Sequence, residues 1–150
     1  MELMYTREQQ AFRSEVRTWL SENVPPERLP SFDTAEGFAA HREWERTLAE
    51  GNWGMVTWPT EYGGRGCDLI EWLIFEEEYY RAGAPLRVNQ NGIFLLGPTL
   101  MEYGTAEQKA RFIPAMASAM KYGHRDGLSQ TPGPIWLRFA VALIAMVMSL

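Results

Sequence analysis

Two segments of the chain begin with the same helix-start pattern, a threonine followed three residues later by a glutamine. Thr6 and Gln9 form the first pattern, and Thr105 and Gln108 form the second. In such a capping box the threonine side chain accepts a hydrogen bond from the glutamine backbone, and the glutamine side chain bonds back to the threonine backbone. Each pattern therefore predicts the first turn of an α-helix.

Apolar residues recur along the chain at the three- and four-residue spacing of amphipathic helices. The spacing predicts five helices, from Thr6 to before Pro25, from about Thr34 to Glu50, from Asp68 to Tyr80, from about Val88 to Tyr103 with a kink or restart at Pro98, and from Thr105 to about Met116. The inward residues are expected to be Phe12, Val16, Trp19 and Leu20, then Phe38, Trp44 and Leu48, then Leu69, Trp72, Leu73 and Phe75. Gly104 is expected to follow the fourth helix as its C′ residue. Because no stretch shows useful β-alternation, we expect an all-α fold.

Charge and cysteine content narrow the possible functions. The net charge is −5, so no basic surface is available to neutralise nucleic-acid phosphates. Cys67 is the single cysteine and cannot form an internal disulfide, which predicts a reducing, cytoplasmic location. The N-terminus carries acidic residues and no apolar run behind a basic start, unlike a secretory signal.

No metal or phosphate site is predicted. His41 and His124 lie far apart without cysteine or carboxylate ligands at metal-binding spacing, so we interpret them as ordinary surface or helix histidines. No glycine-rich loop precedes a lysine and a serine or threonine, which excludes a P-loop. The acidic run Glu76–Glu78 is expected to be a solvated face of the third helix.

Two motifs carry a resemblance to a known family. The run Trp58–Gly66 reads WPTEYGGRG, in which glycines permit tight backbone turns while Trp58 and Tyr62 can anchor the loop. The run Tyr103–Pro114 reads YGTAEQKARFIP. These strings resemble the W-P-x-E-Y-G-G-x-G loop and the G-T-x-E-Q-K-x-x-x-L-P segment of acyl-CoA dehydrogenases, and the resemblance extends from about Tyr5 to Ser118.

The resemblance implies an FAD-dependent enzyme that dehydrogenates acyl-CoA thioesters between Cα and Cβ and assembles as a homo-oligomer. In the family a carboxylate base removes the α-proton while a hydride passes to FAD. Because that base and most of the flavin site lie in later domains of the family, we assign no catalytic or cofactor-binding residue here. The fourth helix lines the buried end of the acyl pocket in the family, which makes Asn91, Ile93 and Leu96 candidate substrate-binding residues. Plain helix packing remains an alternative for each of them.

The composition changes after Ser118. Asp126 is the only acidic residue from Ala119 onward, and Ile135–Leu150 is almost entirely apolar. We therefore predict a domain from residue 1 to 118 and an unrelated segment from 119 to 150. With the coding frame set one base earlier from Ala119, one permitted translation reads GDEIWAQGWSEPDPGSDLA, close to the family's continuation. This agreement suggests a one-base slip in the coding frame near Ser118. The chain would then be a truncated member of the family, and we expect it to be inactive on its own.

Two other functions stay open. A helical module could dock onto another subunit without any catalytic activity. The apolar segment could instead anchor the protein in a membrane, although Phe139–Leu150 is shorter than the roughly 20 residues that span a bilayer. A docking module should expose an apolar face without the segment, whereas an anchor should need the segment for membrane association.

Overall fold

The computed structural model describes residues 5–118, and this part of the chain is helical. It contains α1 (Arg7–Asn23), α2 (Ala35–Glu50), α3 (Leu69–Arg81), α4 (Gly97–Tyr103) and α5 (Ala106–Ala117), together with a 3₁₀ turn (Thr60–Tyr62) and a π-helical turn (Gly92–Leu96). Because residues 5–118 contain no strand, the all-α prediction is confirmed. The predicted segment 119–150 and His124 lie outside the described residues. The chain divides between Val88 and Asn89 into two units, which are described in turn.

Side-chain caps begin four of the five α-helices among residues 5–118, at or close to the positions that the sequence predicts. Thr6 and Thr105 both form complete capping boxes with the glutamine three residues later. Asp68 forms a third box with Glu71, which donates and accepts the equivalent hydrogen bonds at the start of α3. Each cap satisfies backbone N–H groups that have no partner inside the helix, so the starting points are fixed locally.

The core of the first unit is built from aromatic and aliphatic side chains of α1, α2, α3 and the Trp53–Val56 segment. Trp53 stacks on Phe75 with ring centroids 5.7 Å apart and planes 6° apart. The buried cluster contains Val16, Leu20, Trp44, Leu48, Trp53, Val56, Phe75 and Tyr79, with Phe12, Trp19 and Trp72 packed against it. The predicted inward faces of the first two helices are therefore confirmed for these residues.

The predicted inward face of α3 is partly wrong. Leu69 and Leu73 are exposed, whereas Ile74 and Tyr79 are buried. The reason is that α1 packs against α3 on the side that carries Phe75 and its neighbours. A short, mostly apolar helix has more than one candidate apolar face, and its packing partner selects between them.

The expectation of a fully solvated acidic run is also wrong at Glu78, which is only 2% exposed. Its carboxylate accepts two hydrogen bonds from Arg17 of α1, both at 2.9 Å, and one from Arg81 at 2.9 Å. Glu77 beside it pairs with Arg13 of α1. Arg13 and Arg17 lie about sixty residues away in sequence, so spacing within α3 could not reveal them.

The second unit consists of the π-helical turn, α4 and α5. Pro98 lies in the first turn of α4, directly after the π-helical turn, and the backbone stays helical through Leu96 and Gly97. The helix therefore changes from π to α at the predicted kink or restart, without ending there. Gly104 ends α4 in an extended rather than a left-handed conformation. A Cβ at Gly104 would lie 2.5 Å from the Leu100 carbonyl oxygen, so close approach requires glycine there. Leu100, Ile113 and Met116 are buried in this unit.

Candidate functional site

The three predicted substrate-binding residues lie in or beside one π-helical turn. Asn91 precedes the turn, Ile93 is its second residue, and Leu96 is its last residue before α4. The Gly97 N–H donates to the Gly92 carbonyl oxygen five residues earlier, which is the hydrogen bond that defines a π turn. Such turns widen a helix by one residue and occur often at functional sites.

Asn89 shapes the start of this turn, a role that the sequence did not predict. Its backbone carbonyl accepts from the Ile93 N–H at 3.0 Å, and its buried side chain donates to the Met116 carbonyl at 3.3 Å. A Cβ on Gly92 would lie 2.3 Å from the Asn89 Oδ1 atom, so glycine admits this side chain. No short-range pattern marks Asn89, because its partner lies 27 residues away on α5.

The turn offers an apolar surface without titratable groups. Asn91 is exposed, Leu96 is half-buried and Ile93 is buried, while Phe94 and Leu95 between them are exposed. From Val88 to Met101 the chain has no ionisable side chain. This surface can contact a hydrocarbon group and offer an amide hydrogen bond, but it cannot transfer a proton.

The segment that leads to this turn is fixed in the first unit by buried polar side chains. The Tyr79 hydroxyl donates to the Pro85 carbonyl at 2.6 Å, and Nδ1 of His41 lies 2.9 Å from the Leu86 carbonyl oxygen. His41 is therefore a buried helix residue rather than a surface one. Burial raises the pKa of the Tyr79 phenol, which stays protonated and available as a donor.

Glu45 holds the last two residues of the segment. It pairs through two points with Arg87, accepts the Val88 N–H at 3.0 Å, and is 2% exposed. Burial opposes the charge on Arg87, but the Glu45 carboxylate outweighs it and raises the pKa of the guanidinium. Arg87 is therefore charged at neutral pH, and its two-point contact with Glu45 holds this segment against α2.

The loop Trp58–Gly66 is rigid rather than reactive. Gly63 and Gly66 adopt positive φ angles of 83° and 67°, and the buried Trp58 accepts the Gly66 N–H at 2.8 Å. Arg65 lies over the Trp53 ring, 3.7 Å from its centroid, and pairs with Glu15 of α1. These contacts tie the loop to the core of the first unit, as its glycines and aromatics predict.

The remaining chemical groups of residues 5–118 form no second site. Burial raises the pKa of the Cys67 thiol to about 11, so it is protonated and weakly nucleophilic at neutral pH. No group of three or more histidine, cysteine or carboxylate side chains is arranged to hold a metal within the described range. Among the described helices, none is long and apolar enough to cross a membrane.

Comparison with known proteins gives one consistent result. Residues 6–120 match the family model described as acyl-CoA dehydrogenase, N-terminal domain. The chain is 43% identical over 117 residues to the acyl-CoA dehydrogenase IpdE1 of Mycolicibacterium smegmatis, covering 71% of this chain and 29% of that protein. It is 34% identical over 125 residues to the acyl-CoA dehydrogenase FadE26 of Mycobacterium tuberculosis, covering 79% of this chain and 30% of that protein.

Solved structures show the same similarity. The ChsE4-ChsE5 complex from Mycobacterium tuberculosis superposes with a TM-score of 0.65 at 35% identity, covering 79% of this chain and 30% of the matched chain. A structure described as the Tcur3481-Tcur3483 steroid ACAD gives a TM-score of 0.66 at 32% identity, with 79% and 31% coverage. The chain thus spans about three-tenths of the length of these relatives.

Proposed function

Because this chain belongs to the acyl-CoA dehydrogenase family through its N-terminal domain, we propose that residues 6–118 form one wall of the acyl pocket of an FAD-dependent acyl-CoA dehydrogenase. The observation that carries the proposal is the uncharged π-helical turn, which offers apolar side chains within the matched domain. Leu96 and Asn91 would contact the acyl group. Ile93, being buried, would support the turn from behind.

The described residues supply binding and not the redox step. FAD would accept the hydride, and a carboxylate base would take the α-proton. Within residues 5–118 the carboxylate run on α3 is half-buried or paired with arginines, and no phosphate-binding glycine loop is present. These residues do not fit a flavin site of their own, so we propose that the chain alone neither holds FAD stoichiometrically nor oxidises acyl-CoA.

A turnover assay tests this inactivity. The purified 150-residue chain is mixed with FAD, an acyl-CoA and an artificial electron acceptor, with the Mycolicibacterium smegmatis relative as the positive control. We expect flavin absorbance and turnover from the relative alone. Robust turnover by this chain would contradict the proposal and require catalytic residues within it.

A chimaera tests the pocket role separately. Residues 6–118 replace the matching part of the same relative, and Leu96→Ala is then introduced. Removing apolar contacts in a pocket weakens substrate discrimination by about tenfold or more, so KM for the preferred acyl-CoA should rise. Leu86→Ala removes an exposed leucine outside the turn and is the matched control. Equal effects of the two changes would contradict a specific pocket role for Leu96.

The relatives suggest a substrate class and a partner. We propose a steroid-type acyl-CoA, because a solved relative is described as a steroid ACAD. We also propose assembly with another acyl-CoA dehydrogenase subunit, because the solved relatives are described as complexes of two named proteins. The family resemblance by itself predicted a homo-oligomer. Native mass spectrometry of this chain co-expressed with the second subunit distinguishes an assembly of identical subunits from one of different subunits.

A second candidate function is a helical docking module without catalysis. The exposed Leu69, Leu73 and Tyr80 of α3 favour it, since they form an apolar surface outside the predicted pocket. If the chain is such a module, Leu96→Ala should leave its affinity for the partner unchanged. If the pocket proposal holds, Leu96→Ala should weaken binding of the acyl-CoA.

We also propose that residues 119–150 are encoded in a shifted reading frame. A separate proposal is that the protein lies in the cytoplasm. The support for the shift is the family-like alternative translation, and Cys67, as the single cysteine, favours the location. Resequencing the gene across the codon of Ser118 tests the shift. If the new sequence of the gene and of its transcripts agrees with the present one, the shift is a true gene lesion and not a sequencing error.

A further inference from the structure

Asn89 stands at the point where the helical backbone of the second unit begins. Gln90 is the first helical residue, and the π-helical turn follows directly after Asn91. Asparagine is favoured at such a cap position, because its side-chain oxygen can reach the first turn of the helix. Asn89 is only 8% exposed, so the polar atoms of its side chain need partners inside the protein.

The two ends of the Asn89 amide lie against two different parts of the second unit. Its Nδ2 atom donates to the Met116 carbonyl oxygen, in the last turn of α5, at 3.3 Å. Its Oδ1 atom lies over Gly92, where an added Cβ would be only 2.3 Å away. Because the amide is enclosed and bonded to α5, it cannot swing away from Gly92 without losing that hydrogen bond. One side chain therefore links the end of α5 to the first residue of the π-helical turn.

Pro98 favours a wide turn before it but does not select the residue at which that turn starts. Proline has no N–H to donate to the carbonyl four residues earlier, and its ring crowds that carbonyl, which here belongs to Phe94. The helix opens instead into the hydrogen bond from the Gly97 N–H to the Gly92 carbonyl. The contact of Asn89 with Gly92 supplies what the proline leaves open, because it acts on the starting residue itself.

The wide turn decides which side chains face the same way. An α-helix turns by about 100° per residue, so one extra residue in a turn rotates the side chains on its two sides relative to each other by about that angle. Asn91 lies before the turn and Leu96 is its last residue. The angle between these two candidate binding residues therefore depends on whether the turn closes as π or as α.

We propose that Asn89 is a positioning residue, which sets the register of the π-helical turn and thereby the acyl-group preference of the pocket. The amide holds the start of the turn against the end of α5, and the fixed turn presents Leu96 to the hydrocarbon group. Gly92 is the second half of this device, because a larger residue there meets the amide. The acyl preference rests on the proposed pocket wall, whereas the register does not.

Methyl NMR of the full 150-residue chain tests the register. A soluble paramagnetic additive should broaden the Leu95 methyl signals strongly and the Ile93 signals little, in line with exposures of 64% and 3%. In Asn89→Ala both contacts of the amide are gone, so this contrast should be largely lost. An unchanged contrast in Asn89→Ala would overturn the proposal.

Two further variants complete the NMR test. Gly92→Ala retains the amide but places a methyl group against it, and should also reduce the contrast. It keeps the test decisive if Asn89→Ala does not fold, since alanine is favoured over glycine within a helix. Asn23→Ala is the matched control, because it removes an amide that donates to the Trp19 carbonyl at 2.8 Å in α1. It should leave the contrast unchanged.

The chimaera with the Mycolicibacterium smegmatis relative tests the effect on the acyl group. Asn89→Ala and Gly92→Ala should each raise KM for the preferred acyl-CoA about tenfold with little change in kcat, as expected for lost binding contacts. The double variant should resemble Asn89→Ala alone, because the added methyl then has no amide to displace. A rise of about a hundredfold in the double variant would mean two independent losses and would overturn the pairing.

The two measurements separate this inference from the proposed function. If Leu96→Ala raises KM but Asn89→Ala and Gly92→Ala do not, the pocket wall stands and the positioning role of Asn89 is overturned. If Leu96→Ala leaves KM unchanged, the pocket wall and the acyl preference both fail, and the NMR contrast alone decides the register.

Discussion

The guanidinium of Arg87 and the carboxylate of Glu45 form an enclosed ion pair, with Nη2 and Oε2 2.9 Å apart and side-chain exposures of 10% and 3%. Arg87 also donates to the Gly54 carbonyl at 2.8 Å, while Glu45 accepts the Val88 N–H. The pair therefore joins α2, the segment after it and the chain that leads to the π-helical turn. Removing one member of such a pair is strongly destabilising, because the other member is left charged and enclosed.

Glu45→Ala should lower the free energy of unfolding by about 3 kcal/mol or more, since it strands Arg87 without a counter-ion. Urea unfolding followed by tryptophan fluorescence measures the change. Glu43→Ala on the same helix is the matched control, because Glu43 is exposed and Arg46 half-buried, so their pair should be worth less than about 1 kcal/mol. Similar losses for the two variants would contradict the structural role of the enclosed pair.

Acid should destabilise the protein partly through Glu78. Its hydrogen bonds from Arg17, helped by the charges of Arg17, Arg81 and Arg13, lower the pKa of Glu78 below its ordinary value of 4.5. The unfolded state therefore binds this proton more readily than the folded state. The stabilisation is complete above about pH 4.5 and is lost as the pH falls through the lowered folded pKa.

In Glu78→Gln, the free energy of unfolding should depend less steeply on pH below 4.5 than in the parent protein. The substitution will also lower the free energy of unfolding at neutral pH. Denaturant unfolding at a series of acidic pH values measures the slope. Glu27→Gln changes an exposed glutamate in the connector and should keep the parent slope. A parent-like slope in Glu78→Gln would remove Glu78 from the account of acid sensitivity.

Two glycines of the Trp58–Gly66 loop should differ in their tolerance of alanine. A Cβ at Gly64 would lie 2.0 Å from the Trp58 carbonyl oxygen, whereas a Cβ at Gly66 would meet only the Thr60 Cγ2 atom at 3.7 Å. Gly66→Ala should cost about 1 kcal/mol through its positive φ angle, and Gly64→Ala clearly more, because the backbone must move. Thermal unfolding compares them, and the reverse order would contradict this loop geometry.

Deleting residues 119–150 should leave a cooperative unfolding transition. Side chains of α1, α2 and α3 pack against one another in a buried aromatic and aliphatic cluster, which gives the shorter form an apolar core. Thermal melts of the full chain and of a form ending at Ser118 make the comparison. Loss of the transition in the shorter form alone would make the segment an integral part of the fold.

The sequence by itself determined where α1, α3 and α5 begin. Thr6, Asp68 and Thr105 each cap their own helix through atoms no more than three residues away, so the pattern and its structural result are both local. The same holds for Gly63 and Gly66 of the Trp58–Gly66 loop, because glycine adopts positive φ angles without a steric penalty. Family motifs added the acyl-CoA dehydrogenase assignment, and Asn91, Ile93 and Leu96 remain predictions for the pocket.

Only the tertiary structure decided which faces of those helices are buried. The sequence pattern predicts that Leu69 is buried, but it is exposed. The pattern predicts that Glu78 is exposed, but it is enclosed by arginines from α1. Asn89 shows the same dependence, because Met116 on α5 supplies its partner. Burial is set by contacts between residues far apart in sequence, and a periodic pattern along one helix carries no information about which neighbour will pack against it.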